Sequence, residues 1–232
     1  FEPSLDYIVT KMPRFPFDKF TSASNVLSTQ MKATGEVMSV GRTLEESLLK
    51  AIRSLETGKN HIHMDKFDSR KMSTEEILEY IKEGTDDRIY AIAQLLRVGV
   101  SVDTISEITA IDKFFIRKLR NIVEEETEIK ENRGSIAVLR TAKQMGFSDK
   151  IIAEFWNMSE IEIFNLRKEN GILPVYKMID TCASEFESYI PYFYSTYEQE
   201  NESIVSDKDK VIVLGSGPIR IGQGVEFDYS TV

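Results

Sequence analysis

The sequence predicts a mainly α protein, a helical bundle with an internal repeat of 47 residues and short β pieces on either side. Between residues 73 and 171 every periodic hydrophobic segment has helical spacing, and two parts of that region match each other. The flanking segments are short and rich in β-branched residues. Hydrophobic residues make up 41% and charged residues 29% of the 232, a balance that supports a sizeable core and excludes wholesale disorder.

The first 58 residues predict two strands and one helix. Residues 7–10 and 36–40 are β-branched runs, and the two prolines within residues 12–16 exclude a helix after the first run. Thr43 and Glu46 have the spacing of a capping box, so a helix is expected from there to Gly58. Residues 59–72 are polar and aperiodic, and we expect a loop.

From residue 73 onward the pattern predicts successive helices with small polar residues as N-caps. One further helix is expected over about 86–98. The expected capping positions are Ser73, Ser101, Asp112, Ser135, Ser148 and Ser159.

The helical region contains the repeat. Each copy has a helix, a glycine, a Ser-capped short helix, a tight turn and a longer helix. The first copy contributes Ile89, Gly99, Ser101, Ile105, Glu107, Ile116, Leu119 and Arg120, which match Ile136, Gly146, Ser148, Ile152, Glu154, Ile163, Leu166 and Arg167. Two such units have apolar faces and should pack on each other into one bundle.

The pattern changes after Gly171. Residues 175–179 alternate as a strand does, residues 186–197 are rich in aromatics, and residues 198–210 are polar and are interpreted as a linker. Residues 211–214 form an apolar run that predicts a buried strand and leads into a glycine-rich loop, 215–224. That loop fits neither the dinucleotide fingerprint nor the P-loop, which leaves a structural turn and a direct binding role both open.

Other candidate sites have ordinary explanations beside the functional ones. His61 and His63 with Asp65 suggest a metal site, but such a pair in a polar loop is usually solvated. Cys182 has no activating partner nearby in sequence, and we expect an inert, buried thiol. Base or ligand stacking is one use for the aromatic cluster, but we expect it to pack an interface. Its members are Tyr189, Tyr192, Phe193, Tyr194 and Tyr197.

Charge and composition exclude several classes. Lys plus Arg total 29 against 38 Asp plus Glu, a net charge of −9 that disfavours nucleic acid and anionic membranes as partners. A single cysteine excludes an intrachain disulfide framework. No apolar run is long enough to span a membrane, and the start lacks the features of a signal peptide. Both ends look cut, so we expect a piece of a longer chain.

Each half of the repeat also resembles a helix-turn-helix, so a tandem DNA-binding regulator is the alternative function. Its charge is unfavourable, because four glutamates follow the basic helix over residues 112–122 and acids outnumber bases in residues 159–169. A small autonomous nucleotide-binding enzyme that uses the glycine-rich loop is a third hypothesis.

Four long strings, in order, resemble the large subunit of carbamoyl phosphate synthetase. They are FEPSLDYIVTKMPRFPFDKF, TQMKATGEVMSVGRTLEESLLKAIRSLE, LPVYKMIDTCASEF with YFYSTYE, and VIVLGSGPIRIGQGVEFDYS. The resemblance implies that residues 1–48 are the tail of the first ATP-grasp half and residues 49–206 the helical oligomerisation or connection domain. Residues 207–232 would begin the second half, so that the β pieces come from truncated neighbouring α/β domains.

The family makes carbamoyl phosphate from bicarbonate, glutamine-derived ammonia and two ATP, for arginine and pyrimidine synthesis. The resemblance therefore implies a cytoplasmic ligase that uses ATP with Mg²⁺ or Mn²⁺ and a glutamine amidotransferase small subunit as partner. It also implies self-association of large subunits. We expect the helical bundle to hold the two halves at a fixed separation.

The family's nucleotide and metal ligands lie in the ATP-grasp cores, whose motifs do not occur in this sequence. The resemblance assigns no catalytic residue, no metal ligand and no cofactor to this chain, which alone should be inactive. The most site-like positions are Gly222, Gln223 and Gly224, because in the family that loop abuts the carbamate path.

Overall fold

The computed structural model describes residues 2–186, 192–213 and 229. Within them the chain forms four strands, eight α-helices and one 3-10 helix over Asp65–Phe67. The strands are β1 (Ile8–Arg14), β2 (Gly35–Gly41), β3 (Val175–Met178) and β4 (Phe193–Thr196). The helices are α1 (Leu44–Ser54), α2 (Thr74–Tyr80), α3 (Arg88–Arg97), α4 (Val102–Thr109), α5 (Lys113–Glu131), α6 (Ile136–Gln144), α7 (Asp149–Trp156) and α8 (Glu160–Glu169). The prediction of a helical bundle flanked by short β pieces is confirmed.

Strands β1 and β2 form an antiparallel ribbon in which Ile8 lies opposite Gly41 and Arg14 opposite Gly35. Strand β1 continues through Pro13 to Arg14, whereas the sequence predicts a strand only over residues 7–10. A two-stranded ribbon has edges on both sides, where a proline's missing N–H group is tolerated. Helix α1 packs on this ribbon through Ala51 and through its C-cap residue, Leu55.

The predicted N-caps are confirmed, since each of the six side chains accepts a hydrogen bond from a backbone N–H in the first turn of its helix. Thr43 also caps α1, by accepting from the N–H of Glu46. A capping box also requires the Glu46 carboxylate to accept from the N–H of Thr43. This part of the prediction is wrong, because the carboxylate accepts from the N–H of Arg42 instead.

The repeat is visible in the backbone. Gly99 and Gly146 have φ of 85° and 91°, and Ala110 and Asn157, which end the short helices, are left-handed at 56° and 49°. The members of each pair are 47 residues apart, as the sequence predicts. The long helix α5 contacts α1, α3, α4, α6 and α7, so both copies pack around it in one core.

The segment 59–72 is less open than its composition suggests. Ile62 and Phe67 are fully buried in the bundle core, and His61 is only 6% exposed. The expected loop is therefore an irregular segment anchored by its apolar residues, since burial does not require helical or strand periodicity.

Strands β3 and β4 form an antiparallel hairpin in which Val175 lies opposite Thr196. The start of the predicted linker continues this hairpin, because the N–H of Glu202 donates to the carbonyl of Tyr176 at 2.9 Å. Residues 211–213 are exposed and lie in no strand, so the predicted strand is wrong there, and residue 214 lies outside the described residues. Across the described ranges, no helix combines the length and apolar character needed to cross a membrane.

Candidate assembly and junction site

An exposed aromatic pair marks the start of α5. Phe114 and Phe115 follow the N-cap Asp112, are 51% and 52% exposed, and have ring centroids 5.3 Å apart. The helix buries Ile116 and Leu119, so that its core-facing stripe leaves both phenylalanines on other faces. Two adjacent half-exposed aromatics are typical of a surface that binds a partner.

The second repeat exposes apolar side chains at the start of α8. Ile161, the counterpart of Phe114, is 61% exposed, and Phe164 is 38% exposed. The Arg167 guanidinium lies 4.7 Å from the centroid of the Phe164 ring and covers part of that face. Lys118 Nζ likewise lies 5.7 Å from the centroid of the Phe114 ring, so what distinguishes the pair on α5 is that two adjacent aromatic side chains are both about half exposed.

A buried carboxylate joins three parts of the chain. Glu46 of α1 has a side chain only 1% exposed, and its Oε2 accepts from the N–H of Arg42 at 2.8 Å. The same oxygen accepts from the Thr196 hydroxyl on β4 at 3.1 Å, while Oε1 pairs with Lys50 at 2.7 Å. Charge-assisted contacts with three partners hold this carboxylate in one position.

The neighbouring residue points to a different partner. Glu45 is also buried, but its carboxylate accepts from the Asn121 amide at 2.8 Å and pairs with Lys118 at 3.2 Å. Both partners lie on α5. Consecutive glutamates of α1 thus fasten that helix to the bundle and to the C-terminal hairpin.

The turn at Gly146 is pressed against the same helix. A Cβ atom at this position would lie 2.8 Å from the Cα of Glu46, and φ is +91°. Arg53 of α1 also donates to the carbonyl of Gly146 at 2.7 Å. Only glycine meets both the conformational and the steric requirement.

A buried ion-pair network lies in the second repeat. Asp149 pairs with Lys143 and with Arg167, each at 2.7 Å, and none of the three side chains is more than 12% exposed. Burial lowers the pKa of Lys143, against the opposing effect of Asp149. Burial by itself would raise the pKa of Asp149, but Lys143 and Arg167 outweigh it and hold that pKa below its ordinary value.

Tyr197 covers this network. Its ring centroid lies 5.0 Å from Lys143 Nζ and 5.9 Å from the Arg167 guanidinium carbon, distances typical of cation–π contacts. Tyr194, 7% exposed, packs near Tyr7 with ring centroids 6.1 Å apart. These two members of the predicted aromatic cluster pack a junction within the chain. Tyr192 is 47% exposed, Phe193 is half-buried, and Tyr189 lies outside the described residues.

His61 is buried, so the expectation of a solvated histidine pair is wrong for this member. Its Nε2 lies 2.9 Å from Glu126 Oε2, and Arg97 donates to the same oxygen at 2.7 Å. Burial lowers the pKa of His61 despite the opposing carboxylate. Burial works to raise the pKa of Glu126, but hydrogen bonds from His61 and Arg97 outweigh it and leave that pKa well below its ordinary value.

His61 and Glu126 form part of the wall of a cleft of about 460 Å³. Phe155, Lys130 and Lys150 also line it. His63 also lines this cleft, but it is exposed and its Nε2 contacts Asp65 at 3.2 Å. Among residues 2–186, 192–213 and 229, no three His, Cys, Asp or Glu side chains are placed to hold a metal ion.

The remaining predicted site residues have separate outcomes. Cys182 is half-buried rather than buried. Gly222, Gln223 and Gly224, with the rest of the glycine-rich loop, lie outside the described residues. The buried polar contacts of Glu46, Lys143 and Asp149 were not predicted from the sequence. Alignment of the two repeats offers one signal, because Lys143 and Asp149 stand where the first copy has Leu96 and Val102.

Comparison with known families gives two matches. A family model described as "Carbamoyl-phosphate synthetase large chain, oligomerisation domain" matches residues 36–171, more than half of the chain. A second, described as "Carbamoyl phosphate synthase preATP-grasp domain", matches residues 207–232. The first match covers β2 from its second residue, α1 and the whole helical bundle, and the second begins beyond the C-terminal hairpin.

Proposed function

Because the chain belongs to the carbamoyl-phosphate synthetase large-chain family, we propose that it serves as the oligomerisation and linker segment of such a subunit. The observation that carries this proposal is the match of residues 36–171 to the oligomerisation domain. That range includes the exposed pair Phe114 and Phe115, which the bundle itself does not cover.

The three-part division of the chain belongs to the same proposal. Residues 1–48 would be the tail of the first synthetase half, 49–206 the oligomerisation and connection domain, and 207–232 the start of the second half. Helix α1 crosses the first of these boundaries, and the second coincides with the start of the pre-ATP-grasp match.

The whole subunit would work with a glutamine amidotransferase small subunit in the cytoplasm. We propose that it makes carbamoyl phosphate from bicarbonate, glutamine-derived ammonia and two ATP, using Mg²⁺ or Mn²⁺, for arginine and pyrimidine biosynthesis. Within this chain, the loop with Gly222, Gln223 and Gly224 would lie beside the carbamate path. The chain would contribute no catalytic group.

The occupant that we propose for the face formed by Phe114 and Phe115 is a second copy of the large chain. The description of the matched domain supports this choice. Each of these side chains is about half exposed, and burying an aromatic ring in an interface contributes roughly 1–3 kcal/mol. The DNA-binding alternative gains no support, because α8 begins with acidic residues, Glu160 and Glu162, in its first turn.

Sedimentation velocity over a hundredfold concentration range tests self-association. We expect a concentration-dependent dimer or larger assembly for the unmodified chain, and a monomer for the Phe114→Ser/Phe115→Ser double variant. Phe20→Ser is the matched control, because Phe20 is 61% exposed but lies outside the matched domain. A monomer at every concentration of the unmodified chain would refute the proposal, and so would equal loss of assembly in the control.

A further inference from the structure

The polypeptide enters and leaves the helical bundle at one place. The entry ribbon, β1 and β2, contacts the exit hairpin, β3 and β4, although more than 130 residues separate β2 from β3 along the chain. The N–H of Ser4 donates to the carbonyl of Ala183 at 3.0 Å, and the Tyr7 hydroxyl donates to the carbonyl of Asp180 at 2.8 Å.

Polar side chains at the base of α1 bridge these two elements. Glu46 accepts from the backbone of Arg42 on the entry side and from the Thr196 hydroxyl on the exit side. Lys50 donates to the carbonyl of Val40 on β2 at 2.8 Å and to the carbonyl of Ser195 on β4 at 2.6 Å.

Arg42 extends the bridge toward solvent. Its Nε pairs with Glu198, just after β4, at 3.0 Å, and its Nη1 pairs with Asp6 before β1. The link to Glu198 joins the N-terminal part of the chain to the C-terminal hairpin, and the link to Asp6 ties Arg42 to the segment before β1. We call Arg42, Glu46, Lys50 and Thr196 the clamp.

The second repeat packs against the clamp. Gly146 lies against the backbone of Glu46, and Tyr197, next to Thr196, packs over Lys143 and Arg167. The first repeat has no equivalent of this arrangement among the described residues. Its glycine, Gly99, would meet nothing within 4 Å of an added Cβ, and its counterparts of Lys143 and Asp149 are apolar.

We propose that the clamp, centred on Glu46, sets the position of the exit hairpin, β3 and β4, relative to the entry ribbon, β1 and β2. Given the linker role proposed above, the flanking synthetase halves are then held across the clamp. Helices α2 to α8 then lie outside the direct connection between the entry ribbon and the exit hairpin, and their surface is available to partners. This differs from the expectation that the bundle itself spaces the two halves, because the path from β2 to β4 across the clamp bypasses every helix except α1.

Spin-label distances test the clamp on the full 232-residue chain. Nitroxides are placed by Val9→Cys and Tyr176→Cys in a Cys182→Ser background, since both positions are about half exposed and lie on the two elements in question. The width of the distance distribution is measured by pulsed electron paramagnetic resonance, at a concentration where the chain is monomeric.

We expect a single narrow distribution for the parent, and at least a twofold broadening in Glu46→Gln and in Thr196→Val. Glu45→Gln is the matched control, because it alters an adjacent buried glutamate that is tied to α5. It should leave the width unchanged. Thr196→Val removes one hydrogen bond with little change of shape. If Glu46→Gln does not fold, the width measured for Thr196→Val alone tests whether the clamp fixes the hairpin.

Unchanged widths in Thr196→Val and in folded Glu46→Gln would overturn the proposal, and so would equal broadening in Glu45→Gln. The Phe114→Ser/Phe115→Ser variant is measured with the same labels. We expect it to lose self-association while keeping the narrow distribution. Failure of the clamp and failure of the assembly role are therefore seen in different signals.

Discussion

The two helical repeats share one backbone plan but differ in what they hold. The first repeat, α3 to α5, ends in a helix of 19 residues, whereas the corresponding helix α8 has 10. The extension of α5 carries Glu126, which anchors His61 in the preceding segment. The second repeat instead packs against the C-terminal hairpin, where Tyr197 lies over Lys143 and Arg167, and its Gly146 touches the backbone of Glu46.

This difference arises at a few positions. Leu96 and Val102 of the first repeat are buried in the apolar core, while Lys143 and Asp149 at the same places form an ion pair beneath Tyr197. Gly99 faces open space and Gly146 faces the backbone of Glu46. A duplicated unit can therefore keep its fold while one copy acquires a junction, because the serine caps and the backbone hydrogen bonds that close the turns at Gly99 and Gly146 are the same in both copies.

Asp149→Ala should have the largest effect on stability. It removes the partner of two buried cations, and breaking a buried ion pair costs about 3–5 kcal/mol. The matched change in the first repeat, Val102→Ala, deletes two carbon atoms and should cost about 2 kcal/mol. Urea unfolding of both variants measures the difference, and equal losses would show that the ion pair is not special to the second repeat.

Gly146→Ala should come next. Both glycines have positive φ, so alanine at either site costs about 1–2 kcal/mol in backbone strain. At Gly146 the new methyl group also meets the Glu46 backbone, and overpacking adds about 1–3 kcal/mol. Thermal unfolding of Gly146→Ala and Gly99→Ala should show the larger loss in the first, and a Gly99→Ala loss as great would contradict the close approach.

The buried contact between His61 and Glu126 of the first repeat should make the free energy of unfolding depend on pH. Burial holds the pKa of His61 below 6.5, so the unfolded chain binds a proton that the folded chain does not as the pH falls below about 6.5. Stability is then lost on acidification, by at most about 1.4 kcal/mol per pH unit for one proton. Glu126 acts in the same direction below its ordinary value of 4.5, because its pKa is lowered in the fold.

His61→Phe isolates the histidine contribution, since the ring packs beside Phe147 and Phe155. Chemical denaturation of the parent and the variant is compared from pH 8 to pH 5. The parent should lose more stability than the variant over that range. If the free energy of unfolding changed equally with pH in the parent and in His61→Phe, burial of His61 would not contribute to the pH dependence of stability.

The helix caps should show the smallest effect and no difference between repeats. Ser101 and Ser148 accept from backbone N–H groups at 3.0 and 3.3 Å at the start of equivalent helices. Replacing either by alanine should cost about 1 kcal/mol. Unequal losses in calorimetry would show that the junction of the second repeat reaches into its local helix geometry.

The two repeats also show how far prediction from sequence extends. The caps at Ser101 and Ser148 and the turns at Gly99 and Gly146 were predicted correctly in both copies, because each depends on contacts within a few residues. The burial of His61 and the incomplete capping box at Thr43 were not predicted. His61 is buried against a distant partner, Glu126. The Glu46 carboxylate accepts from the N–H of Arg42 and from the distant Thr196 hydroxyl, so it does not complete the local capping box.

The sequence alone therefore determined the helical bundle, its duplication, its capping residues and its family, since these rest on periodicity, local hydrogen bonding and long matched strings. Only the tertiary structure decided which polar residues are buried together. Glu46 and Thr196 are 150 residues apart, and Arg53 and Gly146 are 93 apart. No local pattern encodes such pairs, because their stability comes from desolvation and charge pairing that arise only when the two segments meet in the fold.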